Sequence, residues 1–523
     1  MNSARTIEEI GRGPNIMYTS NPQAHERTPP GLPPSIHAMV NCTMDGGSKR
    51  HRCRSSGTVF SSSCRGKAQP ESALNCIAVI PTKSFSEPFF LRGGKPDLVK
   101  AVLFTDFLYF HKGGLNPHDT VTEPMLKNLL FTDGELWTLL RQRMTPAFTT
   151  GKLKAMFPLI VERAEKVQDL ANNAAKTGAT VDVRELMAKY TTDFIGACGF
   201  GIAMMSLNDE TSSFRKLGRR LFHHDYRDDL VIMSKQVFTE KFNHLDLSMP
   251  EIQQITLHLI HSLMKQRNYM PFSKNDFNDL LLVLKENGKL IGELLEKMNP
   301  DGFQKIAEIE FDDLLIATQI LAIFAAGIDT SLSVSSYILH QLAFLPEIQA
   351  KIQEEIDEVL FRYSNKLCYD AVKEMKCLEM SLLKGMRLFY SLGFLVRKSA
   401  RKYTFSSTDV TMDPGVRAMI PLQALHKDKK YFKKPEKFVS ERFSPSQVND
   451  NKKRVFLTLK EGPRACIGEH LGLMQSLAGL AALLHKYSVE LAPSSVRHPV
   501  SDPSAIITQN IKGGLPLLIK TRV

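Results

Sequence analysis

A single cysteine in a loop of glycine and proline is the clearest chemical feature of this 523-residue sequence. Cys466 follows Gly462 and Arg464 and directly precedes residues 467–487, whose apolar positions recur at helical spacing. A cysteine just before a helix N-terminus meets unpaired N–H groups and the positive end of the helix dipole, which favour the thiolate. Glycine lets the backbone approach a flat ligand, and arginine supplies a permanent cation. The loop therefore indicates either a thiolate ligand or an ordinary buried cysteine.

Small and polar residues interrupt an otherwise apolar stretch at 312–345. Ala326 and Gly327 leave low bulk there, and Asp329 stands directly before Thr330. Glycine costs about 1 kcal/mol relative to alanine inside a helix, so its presence indicates a use for the free space. A carboxylate beside a hydroxyl can relay protons through water, although a helix hydroxyl more often bonds to a carbonyl one turn back.

Three further residues could hold an anionic group. Trp137 and Arg141 are one turn apart on one face of a helical segment, and Arg397 ends a strand-like segment, 392–397. Arginine stays charged and can bind a carboxylate through two hydrogen bonds, while the indole N–H donates one more. The ordinary alternatives are a core tryptophan and surface arginines.

Helices must position most of these residues, because residues 123–373 are mostly helical in pattern. The longest predicted helix, 312–345, ends before Pro346 and would span roughly 50 Å at ~1.5 Å per residue. Further helices are predicted at 96–103, 134–143, 181–200, 214–222, 252–267, 275–284, 347–360, 373–389 and 467–487. Strands are predicted at 88–91, 392–397, 402–405, 416–421, 487–491 and 514–519, which gives a mainly α fold with a minor β part.

Composition divides the chain into two parts. Residues 1–78 are rich in Ser, Gly and Pro, with a proline cluster at 29–34, and they lack apolar periodicity, which predicts a poorly ordered leader. Residues 79–523 are predicted to form one domain. The 8 cysteines are too scattered for a disulfide scaffold.

The chain is basic, with a net charge of +12. Basic runs at 426–430, 433–434 and 452–454 precede the cysteine loop and lack the interleaved aromatic residues of a nucleic-acid platform. We therefore expect no nucleic acid among its partners. These runs form either a solvated face or a docking surface for an acidic protein or an anionic membrane.

No membrane anchor is predicted from the sequence. The longest nearly apolar run, 314–328, is too short to span a bilayer and is typical of a core helix. The first residues also lack the pattern of a secretory signal.

Residues 462–468, Gly-x-Arg-x-Cys-x-Gly, resemble the haem-thiolate loop of the cytochrome P-450 family. Five further segments resemble motifs of that family and follow in its order. They are Trp137-x-x-x-Arg141, Ala326–Thr330, 383–388 at the place of the Glu-x-x-Arg helix, 392–397, and 435–443, which is similar to the family's meander. Each match alone is weak, whereas six in order are strong evidence. Segments 134–157 and 329–360 are most similar to insect microsomal members that handle lipophilic compounds.

The resemblance implies the cytochrome P-450 fold, with the long central helix over haem b and the cysteine loop beneath it. Cys466 would be the axial ligand of the haem iron, where a thiolate favours O–O cleavage. Around it, the resemblance places Trp137, Arg141, Arg397 and Arg464 at the propionates, Gly462 in the cysteine loop, and Ala326 and Gly327 beside the ring, where they leave room for oxygen. Thr330 and Asp329 would be the catalytic pair that delivers protons.

The implied function is a monooxygenase that inserts one oxygen atom of O₂ into a lipophilic small molecule. Electrons would come from NADPH through a flavoprotein reductase, which would meet the basic surface at 427–437 and 452–454. The implied location is the cytosolic face of the endoplasmic reticulum membrane. Two alternatives stay open: a haem-binding or defective member without turnover, and a haem-thiolate isomerase that needs no reductase. Isomerases of that kind usually lack the acid and alcohol pair.

The sequence departs from the family pattern at three positions. Leu459 and Lys460 stand where the family has phenylalanine and often glycine, and Lys384 stands where the helix glutamate belongs. Lys384 would gather three cations with Arg387 and Arg442, and breaking such a buried network costs on the order of 3–5 kcal/mol. Alternatively, Lys384 would extend to solvent and leave Arg387 to bond backbone carbonyls.

Overall fold

A computed structural model describes most of the chain after residue 88. The described residues are 89–90, 96–116, 123–200, 230–231, 250–270, 277–298, 304–406, 408, 410–447, 455–459, 461–502 and 508–522. They all lie within one compact unit, Gly66–Val523. The expected leader 1–78, the predicted helix 214–222, the basic run 452–454 and Lys460 lie outside them.

Helices dominate the described residues, as the sequence predicts. They are α1 Pro96–Lys100, α2 Phe107–Phe110, α3 Gly134–Met144, α4 Thr150–Thr177, α5 Val183–Phe200, α6 Pro250–Gln266, α7 Phe277–Glu286, α8 Asp313–Ala343, α9 Pro346–Arg362, α10 Tyr369–Glu374, α11 Lys376–Leu388, α12 Leu422–Lys427 and α13 Glu469–Lys486. A π-helical turn, Ala101–Thr105, and 3₁₀ turns at Pro124–Leu126, Thr145–Phe148 and Ser440–Phe443 join them.

Ten strands in the described part of the chain form small sheets. They are β1 Phe89–Phe90, β2 Thr180–Asp182, β3 Lys289–Met298, β4 Gln304–Glu310, β5 Phe394–Lys398, β6 Tyr403–Thr404, β7 Thr411–Met412, β8 Arg417–Pro421, β9 Tyr487–Leu491 and β10 Pro516–Thr521. Two sheets have three strands, in the orders β1-β8-β5 and β2-β10-β9, and the other two are the hairpins β3-β4 and β6-β7. Only β1 and β8 pair in parallel among these strands.

The long central helix α8 organises the helical core. Asp312 caps its N-terminus, because the carboxylate accepts a hydrogen bond from Leu315 N at 2.7 Å. Its apolar residues are buried on nearly all sides, as expected for a helix inside a large domain. Among the described helices, α8 is the one long and apolar enough to cross a bilayer. By this criterion of length and composition, the expectation that no segment could span a membrane is wrong. The apolar window of α8 is 61% buried inside the protein, as in a core helix.

Two glycines allow neighbouring helices to approach α8 closely. A Cβ added at Gly327 would clash with the Ile195 side chain of α5 and lie 2.9 Å from its Cγ1. A Cβ added at Gly385 of α11 would lie 2.8 Å from Cγ1 of Ile338. The missing side chains therefore let α5 and α11 pack directly against the central helix.

The hydrophobic residues form two cores. The larger core fills the space between α3–α11 and α13, with α8 at its centre. The smaller core joins the strand-rich part to the segments before and after it, and its members include Val102, Leu103, Ile420 and Leu457. Because the π-helical turn 101–105 contributes to the smaller core, this core lies beside the cysteine loop that contacts that turn.

The hairpin β3-β4 contradicts the helical pattern predicted for 123–373. Leu290 and Leu294 are buried while Ile291 between them is 43% exposed, so burial alternates as in a strand. Glu, Leu and Lys dominate this segment and favour helices locally. Contacts with α3 decide the outcome, since Gln142 Nε2 and Arg143 Nε donate to the carbonyls of Glu293 and Ile291 at 2.9 and 2.8 Å.

Candidate active site

The cysteine loop is a tight turn that presents an exposed thiol. Cys466 N donates to the carbonyl of Leu459 at 3.0 Å, and Ala465 N donates to that of Gly462 at 2.9 Å. Gly462 has φ +79°, and a Cβ there would lie 2.9 Å from the carbonyl carbon of Leu103. Glycine is therefore needed both for the turn and for its contact with the π-helical turn. The thiol of Cys466 is exposed three residues before α13 begins.

Leu459 performs part of the role expected for an aromatic residue. Its carbonyl closes the loop onto Cys466, and its half-buried side chain packs against the larger core. An aliphatic side chain is thus compatible with the turn. Lys460, the other departure in this loop, lies outside the described residues.

Arg464 is a buried cation held by protein groups. Its Nε donates to the carbonyl of His111 at 2.6 Å, and its Nη2 donates to that of Thr132 at 3.1 Å. The same Nη2 forms an ion pair with Asp133 at 2.7 Å, and both side chains are at least nine-tenths buried. Burial lowers the pKa of Arg464 to about 10, while Asp133 raises it. Arg464 therefore fixes the cysteine loop to the start of α3.

Helix α3 approaches the same loop with the two residues predicted from the sequence. The guanidinium of Arg464 lies 4.1 Å from the ring centre of Trp137, a cation–π contact. Arg141 Nη1 donates to the carbonyl of Ala465 at 2.8 Å, next to the cysteine. Burial lowers the pKa of Arg141, and the negative charge of Cys466 raises it. The structure thus brings Trp137, Arg141, Arg464 and Cys466 together.

Arg397 differs from Arg464 because most of its donors have no protein partner. It lies on β5 and is 4% exposed. Nη1 donates to the carbonyl of Val396 at 2.8 Å, while Nε and Nη2 are buried without a hydrogen-bond partner among the described residues. Burial and the nearby charge of Arg464 lower the pKa of Arg397 to about 9, and Asp133 opposes this shift. Nε and Nη2 of Arg397 can therefore donate hydrogen bonds to a bound ligand.

The middle of α8 contains the small and polar residues Ala326, Gly327, Asp329 and Thr330 that the sequence singles out. Ala326 is exposed, although the residues around it are buried or half-buried. The Thr330 hydroxyl donates to the carbonyl of Ala326 at 2.7 Å, which is the ordinary bond of a helix hydroxyl. Gly327 serves the packing of α5 in this structure, since its empty Cβ position points at Ile195.

Asp329 is buried and has partners from two distant segments. Its Oδ1 lies 3.4 Å from Nη2 of Arg184 on α5, and its Oδ2 accepts a hydrogen bond from the Thr508 hydroxyl. Burial lowers the pKa of Arg184, and the Asp329 carboxylate raises it. Asp329 is 3% exposed, and the Arg184 cation and the Thr508 hydroxyl both stabilise its charge.

One hydrogen bond connects the central helix to the helix that follows the cysteine. Gln475 Nε2 on α13 donates to the carbonyl of Gly327 at 3.3 Å. Gln475 is itself 1% exposed. The bond fixes the distance between the low-bulk segment of α8 and the helix that carries the cysteine loop at its N-terminus.

The expected cluster of three basic side chains, Lys384, Arg387 and Arg442, is present. Lys384 and Arg387 are 0% exposed, so an outward orientation of Lys384 is wrong. Arg387 donates to the carbonyls of His426 and Pro435, as the alternative foresaw. Burial, Arg387 and Arg442 lower the pKa of Lys384 to about 6, so its amine is largely neutral at physiological pH.

Comparison with known proteins decides the family. The family model described as Cytochrome P450 matches residues 90–517. The chain belongs to the cytochrome P450 family. It is 32% identical over 432 residues to Cytochrome P450 6a2 of Drosophila melanogaster, covering 81% of this chain and 82% of that protein. It is 30% identical over 425 residues to Cytochrome P450 6B7 of Helicoverpa armigera, with 81% and 82% covered. Members are haem-thiolate monooxygenases, so this protein is an oxidoreductase that incorporates molecular oxygen, with haem b as cofactor.

The described residues fit haem b. The exposed thiol of Cys466 suits an axial ligand, and the unpaired N–H groups of Arg397 suit a propionate carboxylate. Arg141 and Trp137 lie beside the same loop and add a cation and an indole N–H. Exposed Ala326 provides open space on α8. These features agree with the cytochrome P450 fold implied by the motifs.

Several partners of the site residues were not identified from the sequence. They are Asp133 and His111 with Arg464, Arg184 and Thr508 with Asp329, and Gln475 with Gly327. The position of Asp133 could have been noticed in the sequence, because it directly precedes the predicted helix that contains Trp137. Arg184 and Thr508 could not be linked to Asp329 from the sequence, since each is more than 140 positions away from it.

Proposed function

We propose that this protein oxidises lipophilic small molecules with electrons that a flavoprotein reductase delivers from NADPH. When bound, haem b would supply the oxygen activation, and the residues described above would hold it: Cys466 on the iron, with Trp137, Arg141, Arg397 and Arg464 toward the propionates. We place this activity in residues 79–523, at the cytosolic face of the endoplasmic reticulum membrane. The observation that carries the proposal is the acid and alcohol pair on α8, which a monooxygenase needs and an isomerase does not.

The proton route starts from Asp329. Its carboxylate is oriented by Arg184 and Thr508, so it can accept and release a proton without leaving its position. The half-buried Thr330, whose hydroxyl donates to the carbonyl of exposed Ala326, lies one residue further along α8. Thr330 would orient water on that side of the helix, and Asp329 would exchange protons with the interior.

Apolar side chains near this segment support a lipophilic substrate. Phe324 is buried and Ile323 half-buried on α8, and Phe394 is 44% exposed at the start of β5. Leu392 is half-buried in the loop before it. These residues offer apolar area with few charges, which favours an uncharged substrate. Ile506, expected from the sequence to line the same space, lies outside the described residues.

A basic surface supports docking of an acidic partner. Five lysines between residues 429 and 437 are exposed: Lys429, Lys430, Lys433, Lys434 and Lys437. Such a surface attracts a partner of opposite charge and accelerates association at low salt. The membrane is an additional anionic partner for it.

The proposed function is tested in two steps. The reduced protein with carbon monoxide should show the red-shifted absorption band of a thiolate-ligated haem, and a well-folded protein without any haem band would contradict it. Turnover of a lipophilic probe should then require both NADPH and added reductase. Substrate isomerisation without reductase would instead support the isomerase.

Charge reversal tests the docking surface. Lys430→Glu with Lys433→Glu should raise the KM for reductase at low salt and leave the carbon monoxide spectrum unchanged, because both side chains are exposed and solvated. Lys373→Glu, an equally exposed lysine on α10, is the matched control. Equal effects of both changes would overturn the assignment of this surface.

Buried Lys384 favours the alternative of a haem-binding member without turnover. Its amine is buried without a hydrogen-bond partner among the described residues, at the position where the family has a carboxylate. A thiolate-type spectrum without NADPH-dependent turnover in the presence of reductase would support this alternative.

A further inference from the structure

The basic side chains around α11 form a cluster that has no buried counter-ion among the described residues. Lys384 and Arg387 lie one turn apart on α11, and Arg442 lies in the 3₁₀ turn Ser440–Phe443 that packs against it. Lys384 and Arg387 are 0% exposed. All three side chains are close enough to repel one another when charged, and this repulsion destabilises the folded protein.

Hydrogen bonds to the backbone satisfy only part of this cluster. Arg387 Nη1 and Nη2 donate to the carbonyls of His426 and Pro435, and Arg442 Nη2 donates to that of Lys434 at 3.1 Å. On each of the three residues, one buried nitrogen makes no hydrogen bond to the described residues. Lys384 Nζ, Arg387 Nε and Arg442 Nη1 are buried and have no hydrogen-bond partner among the described residues. A buried unpaired donor is costly, and three in one cluster are exceptional.

The groups packed around the cluster do not supply the missing negative charge. Glu436 is the carboxylate whose charge acts on Lys384 and Arg387, and it is exposed. Burial keeps Tyr337 of α8 protonated by raising its pKa to about 12. Burial and Arg387 lower the pKa of His426 to about 3, so this imidazole is neutral. The cluster therefore has donors in excess, and no buried carboxylate compensates it among the described residues.

We propose that a small monovalent anion, a halide or a one-carbon carboxylate, binds at Lys384 Nζ, Arg387 Nε and Arg442 Nη1. Such an ion accepts hydrogen bonds from all three left-over donors and neutralises one cation. It takes the place of the side-chain carboxylate that Lys384 replaces in the family pattern. Binding also favours the protonated amine of Lys384, so anion and proton bind together. The proposal is independent of substrate and reductase.

Thermal unfolding of the full haem-loaded protein tests it. Sodium formate or sodium chloride replaces sodium gluconate at constant ionic strength and pH 7, since gluconate is too large for the cluster. The melting temperature of the wild type should rise and saturate. At ten times the dissociation constant of the anion, the unfolding equilibrium constant falls about tenfold. Lys384→Glu should show no such rise, because its carboxylate occupies the site, whereas exposed Lys373→Glu should respond as the wild type does.

A second measurement keeps the test independent of the variants. Crystals of the wild type grown in sodium bromide should show an anomalous peak bounded by the three nitrogen atoms. Bromide found only elsewhere, or no peak at all, would overturn the proposal. The same holds if the melting temperature of the wild type is insensitive to the identity of the anion, or if Lys384→Glu responds equally.

Discussion

Arg397 and Arg464 have the same guanidinium but differ in what satisfies it. Arg464 has an ion pair with Asp133 and bonds to two carbonyls. Arg397 bonds to one carbonyl, and two of its buried donors have no partner among the described residues. The first arginine is therefore part of the folded protein with or without haem. The second is stabilised by the cofactor, because a propionate supplies the acceptors that the protein lacks.

Replacing these two arginines should separate folding from haem binding. Arg397→Met should stabilise the haem-free protein by about 1–3 kcal/mol, since it removes unpaired buried donors, and it should weaken haem retention. Arg464→Met should destabilise the haem-free protein, because Asp133 is left buried without its partner. Denaturant unfolding and haem transfer to apomyoglobin measure the two effects. Loss of stability in haem-free Arg397→Met would contradict this account.

Lys384→Glu should restore the network that the family pattern contains. A carboxylate at this position can accept from Arg387 and Arg442, so we expect a gain of about 1–3 kcal/mol in the free energy of unfolding and slower haem loss. Thermal unfolding and the rate of haem release measure the gain. An unchanged value for both quantities would refute the argument.

Asp329→Asn tests the proton route. An amide preserves the shape of the side chain but loses the charge beside Arg184 and the ability to release a proton. Turnover should fall at least about tenfold with reductase present, while the carbon monoxide spectrum stays unchanged. Asp312→Asn, at the N-terminus of the same helix, is the control, because asparagine also caps helices. Equal turnover in Asp329→Asn and the wild type would exclude Asp329 from proton transfer.

The site residues differ in how well a sequence can reveal them. Cys466, Gly462 and Arg464 lie within one loop, and Trp137 and Arg141 lie on one helix face, so local spacing identifies them. Their partners come from remote parts of the chain. Arg184 is 145 positions from Asp329, and such a pairing depends on how α5 crosses α8, which local pattern does not determine.

Helix crossing explains why glycine is retained at the centre of α8. Alanine at 327 would gain about 1 kcal/mol of helix propensity, but its Cβ would clash with Ile195 of α5. Because α5 also carries Arg184, the distance between these two helices controls the ion pair with Asp329. The missing side chain at Gly327 thus lets α5 pack close enough to α8 for Arg184 to pair with Asp329.

Gly327→Ala should therefore destabilise the protein by about 1–3 kcal/mol, the usual cost of overpacking. Gly472→Ala on α13 is the matched control, since its Cβ would lie 3.9 Å from Ser331 Oγ, and it should be neutral or stabilising. Ile195→Ala in the Gly327→Ala background should recover part of the loss. Urea unfolding measures all three variants, and equal stability of the two alanine variants would argue against packing as the cause.

Element boundaries were largely predictable where periodicity and breakers agree. Helix α8 begins after capping Asp312 and ends before Pro346, and both signals are local. The hairpin β3-β4 was not predicted, because its residues favour helix and only their alternation favours strand. Hydrogen bonds from the side chains of Gln142 and Arg143 on α3 to strand carbonyls stabilise the extended form, and a sequence does not show which helix will lie beside it.

At the scale of the whole molecule, Lys384 should make stability depend on pH. In the unfolded chain its pKa is near 10.5, and in the folded protein it is about 6. Between these values the unfolded state binds one more proton, so the free energy of unfolding rises with pH by about 1.4 kcal/mol per unit. Below the folded-state pKa of Lys384, the contribution of this residue to the free energy of unfolding no longer changes with pH.

Comparison with Lys384→Met isolates this effect, because methionine has no proton to bind. In gluconate buffer between pH 6.5 and 8.5, the stability advantage of Lys384→Met over the wild type should shrink by about 1.4 kcal/mol per unit. Chemical unfolding at several pH values gives the difference directly. Parallel pH profiles of the two proteins would show that the Lys384 amine keeps an ordinary pKa in the fold.

The sheet β2-β10-β9 has a consequence for synthesis on the ribosome. Leu517 of β10 pairs with Val181 of β2 on one side and with Leu491 of β9 on the other. The strand that completes this sheet is translated long after β2, so a nascent chain holds β2 and the start of α5 without their partner until residues 516–521 leave the exit tunnel. Until then an unpaired strand edge is exposed to other chains. We therefore expect ribosome-stalled chains lacking β10 to associate with chaperones and full-length chains to be released from them.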